Sequence, residues 1–594
     1  MSAGQATDSF LGVERSLSGK EWRLRLSDAR AGLTLAQRLD LPEIVGRVLA
    51  GRGIAPDCVE AFLNPTLRGQ LPDPSRLRDM DAATERICRA VMAGEGVAVF
   101  GDYDVDGATS AALLHRFLSA AGAPPLLYIP DRMTEGYGPN AKALMALKDK
   151  GAAVVITVDC GTTAHAPLEA AAAAGLDVIV LDHHVAEARL PPAFAVVNPN
   201  RLDEAGELGQ LAAVGVAFLL VVALNRALRD SGWYEGGRRE PDLLQWLDLV
   251  ALGTVCDVVP LTGLNRALVS QGLRVMARRA NPGLAALADA ARMEGRPGAY
   301  HAGFVLGPRI NAGGRVGEAD LGARLLTTAD AAEAADLARR LDAHNQARQE
   351  IEARVLEEAT ARVEDGGGPG ALVFAAGEGW HPGVIGIVAS RLAERFNRPA
   401  CVIGVMDGVG RGSGRSMPGV PLGATILAAR QADLLIDGGG HPMAAGFTVA
   451  AEKLDDLHAF LDERIGEAIV AAGVVPTLSV DGALALDAAT TELAGQIEAL
   501  APFGAGNAEP VFVLSGARVA KSDVVGGRHV RCFLSAPSGA RLKAIAFRCL
   551  ETPLGSALLD KAGAPLHLAG RLRADNWQGR NDVQFIIADA AHPR

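Results

Sequence analysis

Three short apolar runs early in the chain each stop abruptly, and each stop is crowded with carboxylates or imidazoles. The first reads Val97-Ala98-Val99-Phe100-Gly101-Asp102-Tyr103-Asp104-Val105-Asp106-Gly107, the second Val154-Val155-Ile156-Thr157-Val158-Asp159-Cys160-Gly161, and the third Val178-Ile179-Val180-Leu181-Asp182-His183-His184. Alanine-rich stretches with helical spacing lie between them. Strand, helix, strand, helix in that order predicts a parallel sheet, and such sheets hold their ligands beyond the carboxyl ends of the strands. A fourth apolar run, Leu249-Val250-Ala251-Leu252-Gly253-Thr254-Val255-Cys256, ends on Asp257. Four clusters are therefore expected at one edge of one sheet.

Taken singly, these residues have plain roles. An acid after a strand caps the next helix, and a histidine pair is satisfied inside a core. Asp102 in particular reads equally as an outer-shell acceptor or as a helix N-cap. The convergence of four clusters favours a centre that holds two divalent ions about 3.5–4 Å apart, which need bridging carboxylates and further terminal ligands.

Asp-Val-Asp-Gly at 104–107 followed by Asp-His-His at 182–184 resembles the DHH phosphoesterase superfamily. The wider pattern resembles the RecJ-like single-strand-specific 5′→3′ DNA exonucleases of bacteria. It runs on through Gly307-Pro308-Arg309-Ile310-Asn311-Ala312-Gly313-Gly314-Arg315, Trp380-His381-Pro382-Gly383, Gly412-Ser413-Gly414-Arg415-Ser416 and Gly438-Gly439-Gly440-His441-Pro442-Met443. It covers nearly the whole chain, with the pieces in order and at matching separations.

The resemblance implies an α/β fold in which a DHH parallel-sheet domain is joined by a long helix to a DHH-associated (DHHA1) α/β domain, with an OB-fold barrel at the C-terminus. The corresponding division is a helical N-terminal extension over 1–80, packed on the first domain, a DHH catalytic domain over 81–275, a connecting segment over 276–370, a DHHA1 domain over 371–470 and an OB-fold nucleic-acid-binding domain over 475–594. The residues agree at two places. Ala, Glu, Arg and Leu dominate 329–365, which predicts one long helix ended by Gly366-Gly367-Gly368-Pro369-Gly370. After about 475, short apolar runs separated by turns predict a small barrel.

The family pattern assigns metal ligation to Asp104, Asp106, Asp159, His183 and Asp257. Two divalent ions are implied, with Mn²⁺ preferred, because the set mixes imidazole with oxygen, and Mg²⁺ also usable. His184 is assigned to the scissile phosphate or to proton transfer, and Asp182 to orienting an imidazole. Arg132, Ser413 and Arg415 suit a terminal 5′-phosphate. Arg309, Asn311 and Arg315 are expected along the strand, although structural ion pairs would leave the same trace, and His381 and His441 are expected near the nucleic acid. In the barrel, Arg528, Arg531, Lys543 and Arg580 are expected on phosphates and Trp577 on a base, with Phe503 and Phe533 either stacking on bases or lying in the core.

The expected activity is hydrolysis of single-stranded DNA from its 5′ end to mononucleotides, in recombination and repair, by a monomer. A duplex is not expected to fit the cleft between the two α/β domains. A single-strand DNA-binding protein and a recombination helicase are the implied protein partners. The rival readings are a DHH enzyme acting on short oligonucleotides or nucleotides, which the extra barrel opposes, and a non-catalytic single-strand-binding scaffold, which the full ligand set opposes.

Composition sets the remaining bounds. The formal charge is −11, so the chain does not coat nucleic acid by net charge, yet residues 511–594 carry twelve Lys or Arg against six Asp or Glu. The seven cysteines stand singly, without zinc or disulfide spacing, and are expected as reduced thiols. Cys160 and Cys256 read as small packing residues behind the site. No signal-like or bilayer-spanning segment is expected, which points to the cytoplasm.

Overall fold

The computed structural model describes residues 9–132, 134–473, 475–560, 563–575 and 582–593. The chain divides into two units, one built from 72–259 with 271–474, the other from 1–71 with 260–270 and 475–594.

The larger unit begins with a five-stranded sheet in the order Leu126–Tyr128, Gly96–Gly101, Ala152–Val158, Asp177–Leu181, Ala195–Val197, every pair parallel. Its strands are apolar on both faces because helices cover both. Leu144, Leu147 and Leu168, from Ala141–Asp149 and His165–Ala173, pack on Phe100, Val155 and Val178 on one side. Val105–Ala120 and Ala213–Asp230 pack on the other. The fourth apolar run is a correction. Leu247–Cys256 is an α-helix, and Asp257 sits at its C-terminus rather than at the end of a strand. A short apolar run buried on every side, as 249–254 is, carries no period that separates helix from strand.

The predicted long helix is Ala331–Asp365, with Asp330 capping it by accepting from the Ala332 and Glu333 amides. It packs on Gly307–Val316 and on Pro382–Phe396. Arg309 pairs with Asp342 at 2.9 Å on the first of these contacts. Buried Glu352 lies between Arg348, at 2.5 Å, and Arg391 on the second. A second five-stranded sheet follows in the order Val373–Glu378, Ala400–Met406, Val409–Arg415, Ala444–Ala450, Asp437–His441, its first pair parallel and the rest antiparallel.

In the smaller unit, Phe512–Val525, His529–Ser535, Arg541–Ala546, Asp582–Ala591 and Leu566–Asp575 form a barrel that closes back on its first strand. The N-terminal extension, expected against the first α/β domain, shares its core with this barrel instead. Leu35, Val45, Val48, Leu49 and Phe62 belong to one cluster with Phe512, Val530, Leu568 and Phe585. The strand Glu21–Leu24 pairs parallel with Thr477–Val480, and the Trp22 indole donates to Asp589 at 3.0 Å. Buried Arg266 donates to the carbonyls of Phe62, Leu500, Ala501 and Pro502 and covers the Phe62 ring at 3.7 Å.

Candidate functional site

At the carboxyl edge of the parallel sheet, Gly101 ends a strand and Asp104 caps the next helix by accepting from the Gly107 amide at 3.0 Å. Asp102 is therefore not the cap. It is buried beside Asp104, and its Oδ1 finds no hydrogen-bond partner among the described residues. Asp106, one turn into the helix, accepts from the Ala213 and Val214 amides at 2.7 and 2.9 Å. Its carboxylate thereby meets the positive end of Ala213–Asp230. Asp159 follows its strand with φ of +61°, unusual for a side-chain-bearing residue.

These acids surround one imidazole. His183 Nε2 is 3.3 Å from Asp159 Oδ1, 3.6 Å from Asp257 Oδ2 and 3.9 Å from Asp106 Oδ2. The His183 nitrogen and the facing Asp159 and Asp257 oxygens are buried, and none has a hydrogen-bond partner among the described residues. Asp102, Asp104 and Asp159 present a second set of oxygens within 4.8 Å of one another, and Asp106, His183 and Asp257 present another triad of ligand atoms equally close.

The electrostatics have the same sense. Burial, then neighbouring acids, raise the Asp106 and Asp159 carboxyls well above the usual range, and burial with the Asp104 charge pushes Asp102 and Asp257 up to about 7. Burial lowers His183. Crowded acids and a neutral imidazole, with unpartnered lone pairs aimed inward, fit divalent cations, whose charge inverts these penalties. The five residues Asp104, Asp106, Asp159, His183 and Asp257 thus lie together.

Asp182 and His184 form a separate pair. Burial alone would raise Asp182, but hydrogen bonds from His184 and Thr162 carry it well below the usual carboxylate range. His184 Nδ1 stands 2.7 Å from Asp182 Oδ1, and although burial lowers the imidazole, Asp182 raises it on balance. Two asparagines missed in the sequence hold this turn. Asn198 donates to the His184 carbonyl at 2.8 Å and Asn200 to that of His183 at 2.5 Å. Their signal was available, since both follow the strand Ala195–Val197 at the same sheet edge. Tyr137 was missed too; its hydroxyl donates to the Asp159 carbonyl at 3.0 Å.

Next to the acids lies a cluster of cations. The Arg132 guanidinium is 5.2 Å from the Tyr103 ring centre. Arg315 donates to the Gly383 carbonyl at 2.9 Å, and burial, with the charges of Arg132, Arg348 and Arg415 adding to it, lowers it to about 10. Arg415 donates to Ser413 Oγ at 3.1 Å and to the Gly414 carbonyl at 2.8 Å. Gly386 leaves room for them, since a Cβ there would be 3.0 Å from Ser413 Oγ and 3.1 Å from the Arg415 guanidinium. His381 caps Pro382–Phe396 by accepting from Gly383, and burial and Arg132 lower its pKa.

Other expected contacts are placed differently. Arg309 donates to Asp342 and to the Val305 carbonyl. Asn311 lies half-buried on Gly307–Val316, and His441 is exposed at the end of the edge strand Asp437–His441. On the barrel, Arg531 pairs with Asp523 and Lys543 with Asp575, both at 2.6 Å, while Arg528 is exposed. Phe503 packs against the core and Phe533 is exposed. Trp577 and Arg580 lie outside the described residues.

Comparison with known proteins follows the same modules. Residues 96–254 match the DHH family N-terminal domain, 355–467 the DHHA1 domain and 480–589 the RecJ OB domain. The single-stranded-DNA-specific exonuclease RecJ of Bacillus subtilis is 34% identical over 97% of this chain and 71% of that protein. Its namesake in Salmonella typhimurium is 36% identical over 96% of this chain and 99% of that protein. The crystal structure of Thermus thermophilus RecJ with Mn²⁺ superposes with a TM-score of 0.79 at 30% identity, covering 96% of this chain and 80% of that one. The same protein with Mg²⁺ gives 0.74 at 28%, covering 96% and 78%.

Proposed function

Since this chain belongs to the RecJ family of single-stranded-DNA-specific exonucleases, we propose that it removes mononucleotides from the 5′ end of single-stranded DNA at a two-metal centre, in recombination and repair. It is a metal-dependent exonuclease, and its cofactors are divalent ions of the Mn²⁺ or Mg²⁺ kind found with the Thermus relative. The observation that carries the reading is the set of unpartnered buried atoms, His183 Nε2, Asp159 Oδ1 and Asp257 Oδ2, facing one another across 3.3 and 3.6 Å.

Asp104, Asp106, Asp159, His183 and Asp257 would hold the ions, Mn²⁺ in preference. Bound there, such ions supply Lewis acidity that activates a water and stabilises the leaving oxygen of an in-line displacement. Asp106 is fixed for this task by the two amides it accepts, which hold its carboxylate in one orientation. His184, tied through Nδ1 to Asp182, keeps the opposite nitrogen to hold a proton toward the departing group.

Polarity follows from the cations. Arg132, Ser413 and Arg415 would bind a terminal 5′-phosphate by charge-assisted hydrogen bonds, with Arg315 and His381 beside them. Gripping the terminal phosphate positions the first linkage over the acids, which makes the enzyme an exonuclease. The barrel, with Arg528 exposed, holds the following strand. Asn311 and His441 complete the path. Arg309, Arg531 and Lys543 serve it only by exchanging their acidic partners for phosphates.

Family membership also supports three further proposals: a monomer, a cytoplasmic location, and a single-strand DNA-binding protein and a helicase as partners. Among the described residues no helix is long and apolar enough to cross a membrane. The decisive assay compares Asp159→Ala and His183→Ala with wild type for Mn²⁺-dependent release from a single strand. Both should fall at least tenfold while keeping strand binding, because the cations are separate groups. A variant retaining more than a tenth of wild-type turnover removes its residue from the ligand set.

A further inference from the structure

The turn Glu135-Gly136-Tyr137-Gly138 is built around one side chain. Glu135 accepts from Tyr128 Oη at 2.7 Å, from Asn140 Nδ2 at 3.1 Å and from the Asp131 amide at 2.9 Å, which ties both ends of the turn to the sheet edge. The two glycines take φ of +85° and +79°, a region open to them at little cost. Tyr137 is delivered between them with its ring half-exposed and its hydroxyl turned inward.

This hydroxyl donates to the carbonyl of Asp159 at 3.0 Å, the shorter of its two contacts, and its oxygen also stands 3.4 Å from His184 Nδ1. Asp159 holds a left-handed conformation, φ +61°, and Gly161 follows at +114°. Such a conformation persists only where its surroundings hold it. Hydrogen bonds that do so here include the Asp159 amide to the Leu181 carbonyl at 3.0 Å, Thr157 Oγ1 to the Cys160 carbonyl at 3.1 Å, and Tyr137 Oη to the Asp159 carbonyl. The first two lie within the sheet and its turn. Only the third reaches in from another loop. It fixes the peptide plane directly after the residue whose carboxylate meets His183 at 3.3 Å.

We propose that Tyr137 is a positioning residue, a clamp whose hydroxyl holds the Asp159 peptide in the left-handed conformation that aims its carboxylate into the metal centre. This inference rests on the metal reading above and assigns Tyr137 no contact with the reacting atoms.

The test uses the full chain and Tyr137→Phe, which keeps the ring and removes only the hydroxyl. Hydrogen–deuterium exchange of the metal-free protein should show faster exchange at amides 159–161. Mn²⁺ titration without DNA, read by the electron-spin signal of free Mn²⁺, should show affinity weakened about fivefold, the worth of one net hydrogen bond. Turnover should recover at saturating Mn²⁺ with the KM for DNA unchanged. Wild-type exchange together with wild-type affinity overturns the clamp, as does a turnover defect that saturating Mn²⁺ leaves in place, which would mean that the phenol acts on the reaction itself. Asp159→Ala in the same titration separates the two readings. If it binds Mn²⁺ as wild type does, the metal reading fails, and the exchange data alone decide on the clamp.

Discussion

Asp106 and Ala213, more than a hundred residues apart, are joined by a 2.7 Å hydrogen bond from the amide that opens a buried helix to a carboxylate on the first turn of another. The bond fixes one acid at the centre of the site, and it makes the surrounding packing part of the chemistry.

Gly107 shows how little room that packing leaves. A Cβ there would stand 2.5 Å from the Asp102 carbonyl oxygen and 2.6 Å from its amide nitrogen, and backbone cannot yield as a side-chain tip does. Gly107→Ala should cost about 1–3 kcal/mol in denaturant unfolding and should also weaken Mn²⁺ binding, because the Asp104–Asp106 turn must shift. Wild-type stability together with wild-type metal affinity would show that the turn absorbs a methyl group.

The crowded acids set a pH dependence. Burial pushes Asp102 and Asp257 up to about 7 and raises Asp106 and Asp159 as well. A carboxyl whose pKa is raised by folding contributes stability that is present below its unfolded pKa, about 4, and is lost as pH climbs through the folded value. The metal-free protein should therefore lose stability between about pH 4 and 7 from these groups. Bound cations reverse the penalty, so the rise in Tm at a fixed Mn²⁺ concentration should grow from about pH 5.5 to about pH 8. Thermal scans giving the same Mn²⁺-induced rise at both ends of this window would contradict the proton–metal competition.

Arg415→Ala, and more weakly Arg132→Ala, should shrink the preference for a 5′-phosphorylated over a 5′-hydroxyl strand. The quantity to compare is the ratio of cleavage rates on the two strands at equal salt and Mn²⁺. An unchanged ratio in both variants would place 5′-end reading elsewhere, or leave threading through a narrow passage as the source of polarity.

The shared core of the smaller unit predicts how truncation behaves. Removing 475–594 alone strips the partners of Leu35, Val45, Leu49 and Phe62, leaving exposed apolar surface that invites aggregation. A chain limited to 72–474 should bind less hydrophobic dye and retain cleavage of short oligonucleotides, with a shallower salt dependence of strand binding. If the singly truncated chain is as monodisperse as the doubly truncated one, the extension folds by itself.

Much of this site could be read from the sequence because its residues are punctuation: Asp104, Asp159 and His183 stand where apolar strands stop, and stopping points of parallel strands share an edge. Asp257 was legible as an acid after an apolar run but not as the end of a helix, because full burial of 247–254 erases the period. Tyr137, Asn198 and Asn200 were passed over for another reason, although the place of the two asparagines just after a strand was a positional signal. They act through backbone carbonyls, which leave no residue-type pattern. The packing of the N-terminal extension was misread because the apolar faces of its helices state that they need a partner without stating which one. Arg309 was read by its motif, and its pairing with Asp342, 33 residues on, depends on a helix contact that composition does not specify.

The most direct measurement follows a single strand labelled at its 5′ end, alone and annealed to its complement, with Mn²⁺ or chelator, for wild type and Asp159→Ala. The account predicts that the first labelled product is a mononucleotide, released by wild type from the single strand with Mn²⁺ and absent with chelator, with the duplex or with Asp159→Ala. Labelled fragments of internal cleavage, or release that survives chelation, would contradict it.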